Sequence, residues 1–272
     1  MSPAAPRPRW SIVLPYYNEE AFIGATLRAA LALRGGPVRL ILVDNGSTDA
    51  TQALCRRMLD GVAGIDVRHV SEERPGPVHA LHAGFTAVDT PLVAFWNADT
   101  LYPPEYLQRA EALLDPPGVV AAMAVGLNAP ATSWRGRWQR FRKYGTSLVL
   151  ARQAHTGTFG QCFRTEALRA AGGPRSDAWP WVLDDHEVMQ RVFKIGRSRY
   201  DPDFWCHPST RRACSADVRW TLFERLMYHA TPFRAKDWFF HRFLGPRFSA
   251  RGMGSANLRI RNWEARKPEP GA

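Results

Sequence analysis

Cysteine is scarce in this chain of 272 residues: Cys55, Cys162, Cys206 and Cys214 are the only four, and no two are spaced Cys-x-x-Cys. That excludes a disulfide framework and a thiolate zinc site, and reads as free thiols in a reducing cytoplasm. Long apolar runs are missing too. The longest, Val119 to Leu127, is far too short to span a bilayer, and Met1 to Pro8 carries prolines and arginines where a signal peptide needs an apolar core. The expectation is a cytoplasmic chain, soluble or peripheral on the inner face of the membrane. Acidic residues are outnumbered, 25 Asp and Glu against 36 Lys and Arg, giving a formal net charge of +11. A surface so basic suits nucleic acid, anionic lipid or phosphorylated substrates. There is no internal repeat or low-complexity tract, and 45% hydrophobic residues suffice for one large α/β domain or a domain plus an appendage.

What is present begins with alternation. Trp10 to Leu14 reads as a strand, and Phe22, Ile23, Leu27, Ala30 and Leu31 give a helix that ends at Gly35-Gly36. Val38 to Val43 and Ile65 to Val70 read as strands, with a helix between them carrying Leu54, Met58 and Leu59. Pro77 to Val88 is a further helix, and Leu92 to Trp96 a fourth strand. Four strands alternating with helices imply a parallel sheet covered on both faces. Beyond Pro104 the pattern predicts a helix from Tyr106 to Leu114, a strand over Val119 to Val125, a helix starting at Asp184 and a strand through Tyr200 to Cys206.

The chemistry sits where these strands end. Leu92 to Trp96 runs into Asn97-Ala98-Asp99, so two polar side chains leave the carboxyl end of a strand, the edge at which α/β sheets bind ligands. A carboxylate with hard-oxygen neighbours there suits Mg²⁺ or Mn²⁺ holding a diphosphate; the plainer alternative is a turn or helix cap. Asp184 and Asp185 open a helix, where they either stabilise the helix dipole or do acid–base work.

Taken together, Pro15-Tyr-Tyr-Asn-Glu-Glu20, Leu42-Val-Asp-Asn-Gly-Ser-Thr-Asp49, Asn97-Ala-Asp-Thr100 and Leu183-Asp-Asp-His-Glu187 resemble, in order and spacing, the inverting glycosyltransferases of family 2, which have the GT-A fold. The resemblance covers roughly residues 10 to 208. It implies a Rossmann-like, mostly parallel sheet with helices on both faces, forming a nucleotide-sugar-binding and catalytic domain over 1–208. Pro15, Tyr16 and Glu19 then fall in the loop against the nucleotide base, and Asp44 on the carboxylate that binds the base. Asn97 and Asp99 fall on the Asp-x-Asp motif that contacts ribose and a divalent metal, Mn²⁺ or Mg²⁺, with His207 completing the metal shell. Asp185 falls on the catalytic base, beside Asp184. The donor would be a nucleoside-diphosphate sugar and the acceptor a hydroxyl, in cell-envelope glycan, glycolipid or secondary-metabolite synthesis.

Two positions depart from that pattern. Asn97 stands where the first Asp is usual, which costs a charge on the metal, and Asp184 stands where Glu is usual. A catalytically inactive homologue that only binds nucleotide sugar or acceptor is therefore the competing reading. Processive members carry Gln-x-x-Arg-Trp followed by membrane spans; here Arg219-Trp220 occurs, but Ala216 replaces Gln and no span follows. Residues 209–272 read as a helical basic and aromatic extension, from Trp220 to Arg247, suited to an acceptor-side contact, a lipid-linked acceptor or an anionic membrane surface. The alternative is an appendage whose aromatics pack on the catalytic domain. Arg211 and Arg212 are candidates for binding diphosphate or an anionic acceptor. Arginine–aromatic mixtures also occur in nucleic-acid-binding proteins, but no nucleic-acid module is recognisable and no nucleic-acid partner is expected. Residues 15–20 contain no glycine, against a nucleotidyltransferase phosphate loop.

Overall fold

The computed structural model describes residues 7–209 and 220–256. Strand β1 (Trp10–Tyr16) is buried at every position except Pro15, as a strand covered on both faces must be. It pairs in parallel with β2 (Val38–Asp44) and β4 (Leu92–Phe95), and β2 pairs in parallel with β3 (Ile65–Ser71). The register sets Trp10 opposite both Val38 and Leu92 and ends with Tyr16 opposite Asp44. The carboxyl ends of these strands therefore finish level, along one edge.

Because side chains alternate across a strand, the apolar residues sort into two layers. Ile12, Leu14, Leu40 and Leu42 pack toward α1 (Ile23–Leu31), α2 (Thr51–Leu59) and α4 (Tyr106–Leu114). Val13, Ile41 and Val43 pack toward α3 (Pro77–Thr86), α6 (Thr165–Ala170) and α7 (Asp184–Ile195). Helix α3 lies so close that a Cβ on Gly84 would come within 2.7 Å of Val43 and closer still to Val13. Glycine at that position is what lets the helix seat on the sheet.

The second half of the sheet is mixed. Strands β6 (Val119–Gly126) and β8 (Arg197–Pro208) are parallel neighbours, while β7 (Gln161–Arg164) runs antiparallel between β4 and β6. Two-residue β5 (Thr100–Leu101) pairs antiparallel with β8, Leu101 facing His207. The full order is β3-β2-β1-β4-β7-β6-β8-β5. This is the expected α/β architecture, mostly parallel with helices on both faces, and the two antiparallel strands are additions that the sequence pattern did not predict.

Helix α5 (Trp134–Val149) starts at Ser133, whose hydroxyl accepts the Gly136 N–H at 3.0 Å. Past the undescribed segment, α8 (Leu222–Ala230) begins with a reciprocal Thr221 and Glu224 capping box, followed by a π-helical stretch (Trp238–Leu244) and α9 (Gly245–Ala250). Tyr228, Phe239, Phe240, Leu244, Phe248 and Met253 form a third core cluster with Trp179 and Val182, which lead into α7. Much of the aromatic content between Trp220 and Arg247 is thus spent on packing. Lys236 is fully buried there, bonded to the Tyr228 carbonyl and 3.6 Å from that ring, and burial draws its pKa down to about 8. Cys55, Cys162 and Cys206 are buried free thiols.

Candidate active site

The Asn97–Asp99 turn is held from three sides. The Asn97 N–H donates to the Tyr102 hydroxyl at 3.1 Å, and that hydroxyl donates to the Phe159 carbonyl at 2.9 Å. Tyr102 is itself stacked on Trp96, ring centroids 3.7 Å apart. The Thr26 hydroxyl lies 2.9 Å from the Ala98 carbonyl and 3.0 Å from that of Thr100, and the Ser209 N–H donates to the Asp99 carbonyl. Pairing of β5 with β8 then carries His207 to the same place. Asp99 and His207, far apart in sequence, line one open cavity of about 620 Å³, walled otherwise by Phe22, Thr26, Leu101 and Asn128.

His207 is oriented for a ligand. Its Nδ1 lies 3.2 Å from the Leu127 carbonyl, which can only accept, so Nδ1 carries a proton and Nε2 is the ring nitrogen left for a ligand. One carboxylate and one imidazole form an O,N donor pair that suits a divalent cation bound jointly with phosphate oxygens and water. Among the described residues no group of three or more His, Cys, Asp and Glu side chains is arranged to hold a metal. The donor set therefore fits a cation delivered with a diphosphate rather than one in an all-protein cage. Asn97 does not line the cavity.

The loop after β1 is clamped to the loop after β2. The Asn18 side chain accepts the Thr48 N–H at 2.7 Å, and the Glu19 N–H donates to the Thr51 hydroxyl at 2.8 Å, with Glu19 buried. Asp44 accepts the Ser47 N–H at 2.9 Å and the Gln52 amide at 3.1 Å. Pro15, Tyr16, Glu19 and Asp44 thus gather at the adjoining ends of β1 and β2, outside the residues that line the Asp99 cavity. Tyr16 is buried, and burial next to Asp44 raises its hydroxyl well above the usual tyrosine range.

Leu183, in the left-handed region at φ 62°, turns the chain into α7 and sets Asp184 and Asp185 at its first positions. Burial, and then the Asp185 charge, raises Asp184 above the ordinary carboxylate range. Burial raises Asp185 also, opposed by His155, whose Nδ1 lies 3.9 Å from its carboxylate. The His155 and His186 rings meet at 2.6 Å between Nε2 and Nδ1. The Thr156 carbonyl faces His155 Nδ1 at 3.1 Å, so that nitrogen carries a proton, and the two rings share one hydrogen bond between Nε2 and Nδ1. Burial keeps His186 well below its usual pKa, and hence neutral. This pair, unread in the sequence because His155 stands in no motif, lines a second cavity of about 350 Å³ with Lys143, Tyr200, Trp220, Arg225 and Tyr228. Arg211 and Arg212 lie outside the described residues.

A raised carboxylate has a stability signature. The native state holds the proton more tightly than the unfolded chain, so the favourable contribution is complete below the unfolded pKa and is lost as pH rises through the folded one. Asp184→Asn is therefore expected to raise Tm near pH 8 and to change it little near pH 4, at about 2–4 °C per kcal/mol for a chain of this size. Thermal denaturation at both pH values checks this; a lower Tm for the variant at pH 8 would contradict it.

Residues 11–172 match the family model for glycosyl transferase family 2. The chain belongs to glycosyl transferase family 2. Its structure is similar to that of a mannosyltransferase from Pyrobaculum calidifontis, determined with GDP-Man and Mn²⁺, at 21% identity and TM-score 0.64, covering 96% of this chain and 80% of the other. Glucosyl-3-phosphoglycerate synthase from Mycobacterium tuberculosis, with Mn²⁺, UDP and phosphoglyceric acid, aligns at 19% identity and TM-score 0.55, covering 83% and 80%. Likeness at that identity establishes the GT-A fold. An undecaprenyl-phosphate 4-deoxy-4-formamido-L-arabinose transferase of Proteus mirabilis is 31% identical over 150 residues, 52% of this chain and 42% of the relative. The chain spans less than half the length of these curated relatives, 42% in that case and 35% of an uncharacterised Nostoc glycosyltransferase. Among the described residues of this family 2 chain, no helix is long and apolar enough to cross a membrane.

Proposed function

We propose that this family 2 chain is a metal-dependent, inverting transferase that moves a sugar from a nucleoside-diphosphate sugar to an acceptor hydroxyl. The observation that carries this reading is the convergence of Asp99 and His207 on one cavity at the carboxyl edge of the sheet. Asp99 and His207 would hold Mn²⁺ or Mg²⁺ there, with Asn97 two residues before Asp99 in the same turn. When bound, the cation supplies Lewis-acid stabilisation of the charge that develops on the departing diphosphate. Pro15, Tyr16, Glu19 and Asp44 bind the nucleoside, the Ser47 N–H and the Gln52 amide keeping the Asp44 carboxylate in place. Asp185 takes the acceptor hydroxyl proton as that oxygen attacks the anomeric carbon, and burial keeps its proton affinity raised.

In this reading residues 1–208 carry donor binding and catalysis, and 209–272, with Arg211 and Arg212, the acceptor side. The pathway is cell-envelope glycan, glycolipid or secondary-metabolite synthesis. A lipid-linked acceptor, supported by the likeness to undecaprenyl-phosphate transferases, places the protein in the cytoplasm on the inner membrane face.

Thermal denaturation with UDP, GDP and their sugars, with and without Mn²⁺, tests donor binding. At least one nucleotide should raise Tm, by an amount that grows with concentration and depends on Mn²⁺. No shift with any of them would count against the proposal. Asn97 and the small donor set favour one second reading, an inactive nucleotide-sugar-binding homologue. A Mn²⁺-dependent shift with no turnover across donors and acceptors would select it.

A further inference from the structure

Helix α5 is unusual in what it leaves in water. Trp134, Trp138, Phe141, Leu148 and Val149 are between 61% and 83% exposed, and Gly136 is its one buried residue. At 3.6 residues per turn these five side chains fall within an arc of about 100° along the helix. An exposed apolar stripe of that length on a helix marks an interaction surface, not a packing face.

The charges around the stripe identify the partner. Positions 134–149 contain Arg135, Arg137, Arg140, Arg142 and Lys143 and no Asp or Glu. Helical geometry puts Arg135 and Arg142 along one border of the stripe and Arg137 along the other. Arg140 faces away and pairs with Asp203 of β8 at 2.8 Å, fixing the helix to the sheet with its apolar side outward. We infer that α5 is an in-plane helix that docks the protein on an anionic bilayer, its apolar side chains entering the acyl boundary and its arginines meeting the lipid phosphates.

Other occupants fit less well. A second copy would bring two acid-free helices of like charge together. A nucleic acid would use the arginines and the indoles but would gain nothing from Leu148 and Val149, which have no face for stacking. A second helix also carries an exposed apolar stripe: α8 exposes Leu222, Phe223 and Leu226 at 57% to 73%.

This names the surface for the membrane partner proposed above and rests on none of the catalytic assignments. The test is co-sedimentation of the full chain with vesicles of phosphatidylcholine alone and with added phosphatidylglycerol. Wild type should bind the anionic vesicles and bind the neutral ones weakly, and Trp138→Ser/Phe141→Ser/Leu148→Ser should bind at least about tenfold more weakly with Tm unchanged. Arg135→Gln/Arg142→Gln should weaken binding to anionic vesicles alone. No vesicle binding by wild type, or equal binding by the triple variant, would overturn the inference. So would a dimer abolished by the triple variant, or oligonucleotide binding that needs these residues, in a protein that ignores vesicles. Vesicle binding needs no nucleotide sugar, so its failure and failure of the nucleotide-induced Tm shift are separate results.

Discussion

Asp185→Asn is expected to lower kcat by about 10²–10⁴-fold, the range for loss of a general base, while donor affinity stays near that of the wild type. Asparagine keeps the size of the side chain and an oxygen that can accept the His186 N–H, now 3.0 Å from Asp185 Oδ1. It also caps helix starts as well as aspartate does. If Asp185 served only to begin α7, the variant would therefore fold and turn over normally, whereas a base stripped of its basicity leaves a folded, donor-binding, inactive protein. The acid limb of the rate profile carries the same information. Burial lifts Asp185 above the ordinary carboxylate range, so activity should be lost on acidification at a higher pH than a solvent-exposed aspartate would give. Steady-state rates at saturating donor, with affinity from titration calorimetry, separate the two roles; a variant as active as the wild type would end the assignment.

Asp99→Ala is expected to cost about 10²–10³-fold in activity, comparable with removal of one strong electrostatic stabiliser of a developing charge. Mn²⁺ should then no longer tighten nucleoside-diphosphate binding, since the one carboxylate among the described residues lining that cavity is gone. His207→Ala should lose less, about 10–100-fold, because a neutral imidazole contributes no charge. Calorimetric titration of UDP and GDP into each variant, with and without Mn²⁺, measures this directly. If Mn²⁺ still strengthened binding by the wild-type factor in Asp99→Ala, the metal would have to sit elsewhere.

How much of this was legible beforehand depends on the range of the interactions. The strands that became β1 to β4 are continuous apolar runs bounded by turn residues, and burial on both faces makes such runs readable. Strands β5 and β7 are two and four residues long. Nothing local marks them, and they exist because β8, β4 and β6 offer partners. The same distinction runs through the site. Asp99 and Asp185 stand at the ends of readable elements, but the meeting of Asp99 with His207 depends on the β5–β8 register, and the contact of His155 with Asp185 on tertiary packing. Composition left the C-terminal run from Trp220 to Arg247 open between a basic, aromatic surface and a packed appendage, and Lys236, Phe239 and Phe240 are interior. Aromatic residues left in solvent include Trp134, Trp138 and Phe141 of α5, where the sequence shows the mixture but not which side of the helix the core would leave uncovered.

The central claim, inverting transfer from a nucleotide sugar, can be tested without knowing the acceptor, because water can replace it. Proton NMR of wild-type protein with Mn²⁺ and a panel of α-linked UDP and GDP sugars follows the anomer released before mutarotation. The β-anomer should accumulate first from at least one donor, only while divalent metal is present, and not with Asp185→Asn. Early release of the α-anomer, or consumption that continues undiminished in chelator, would contradict it.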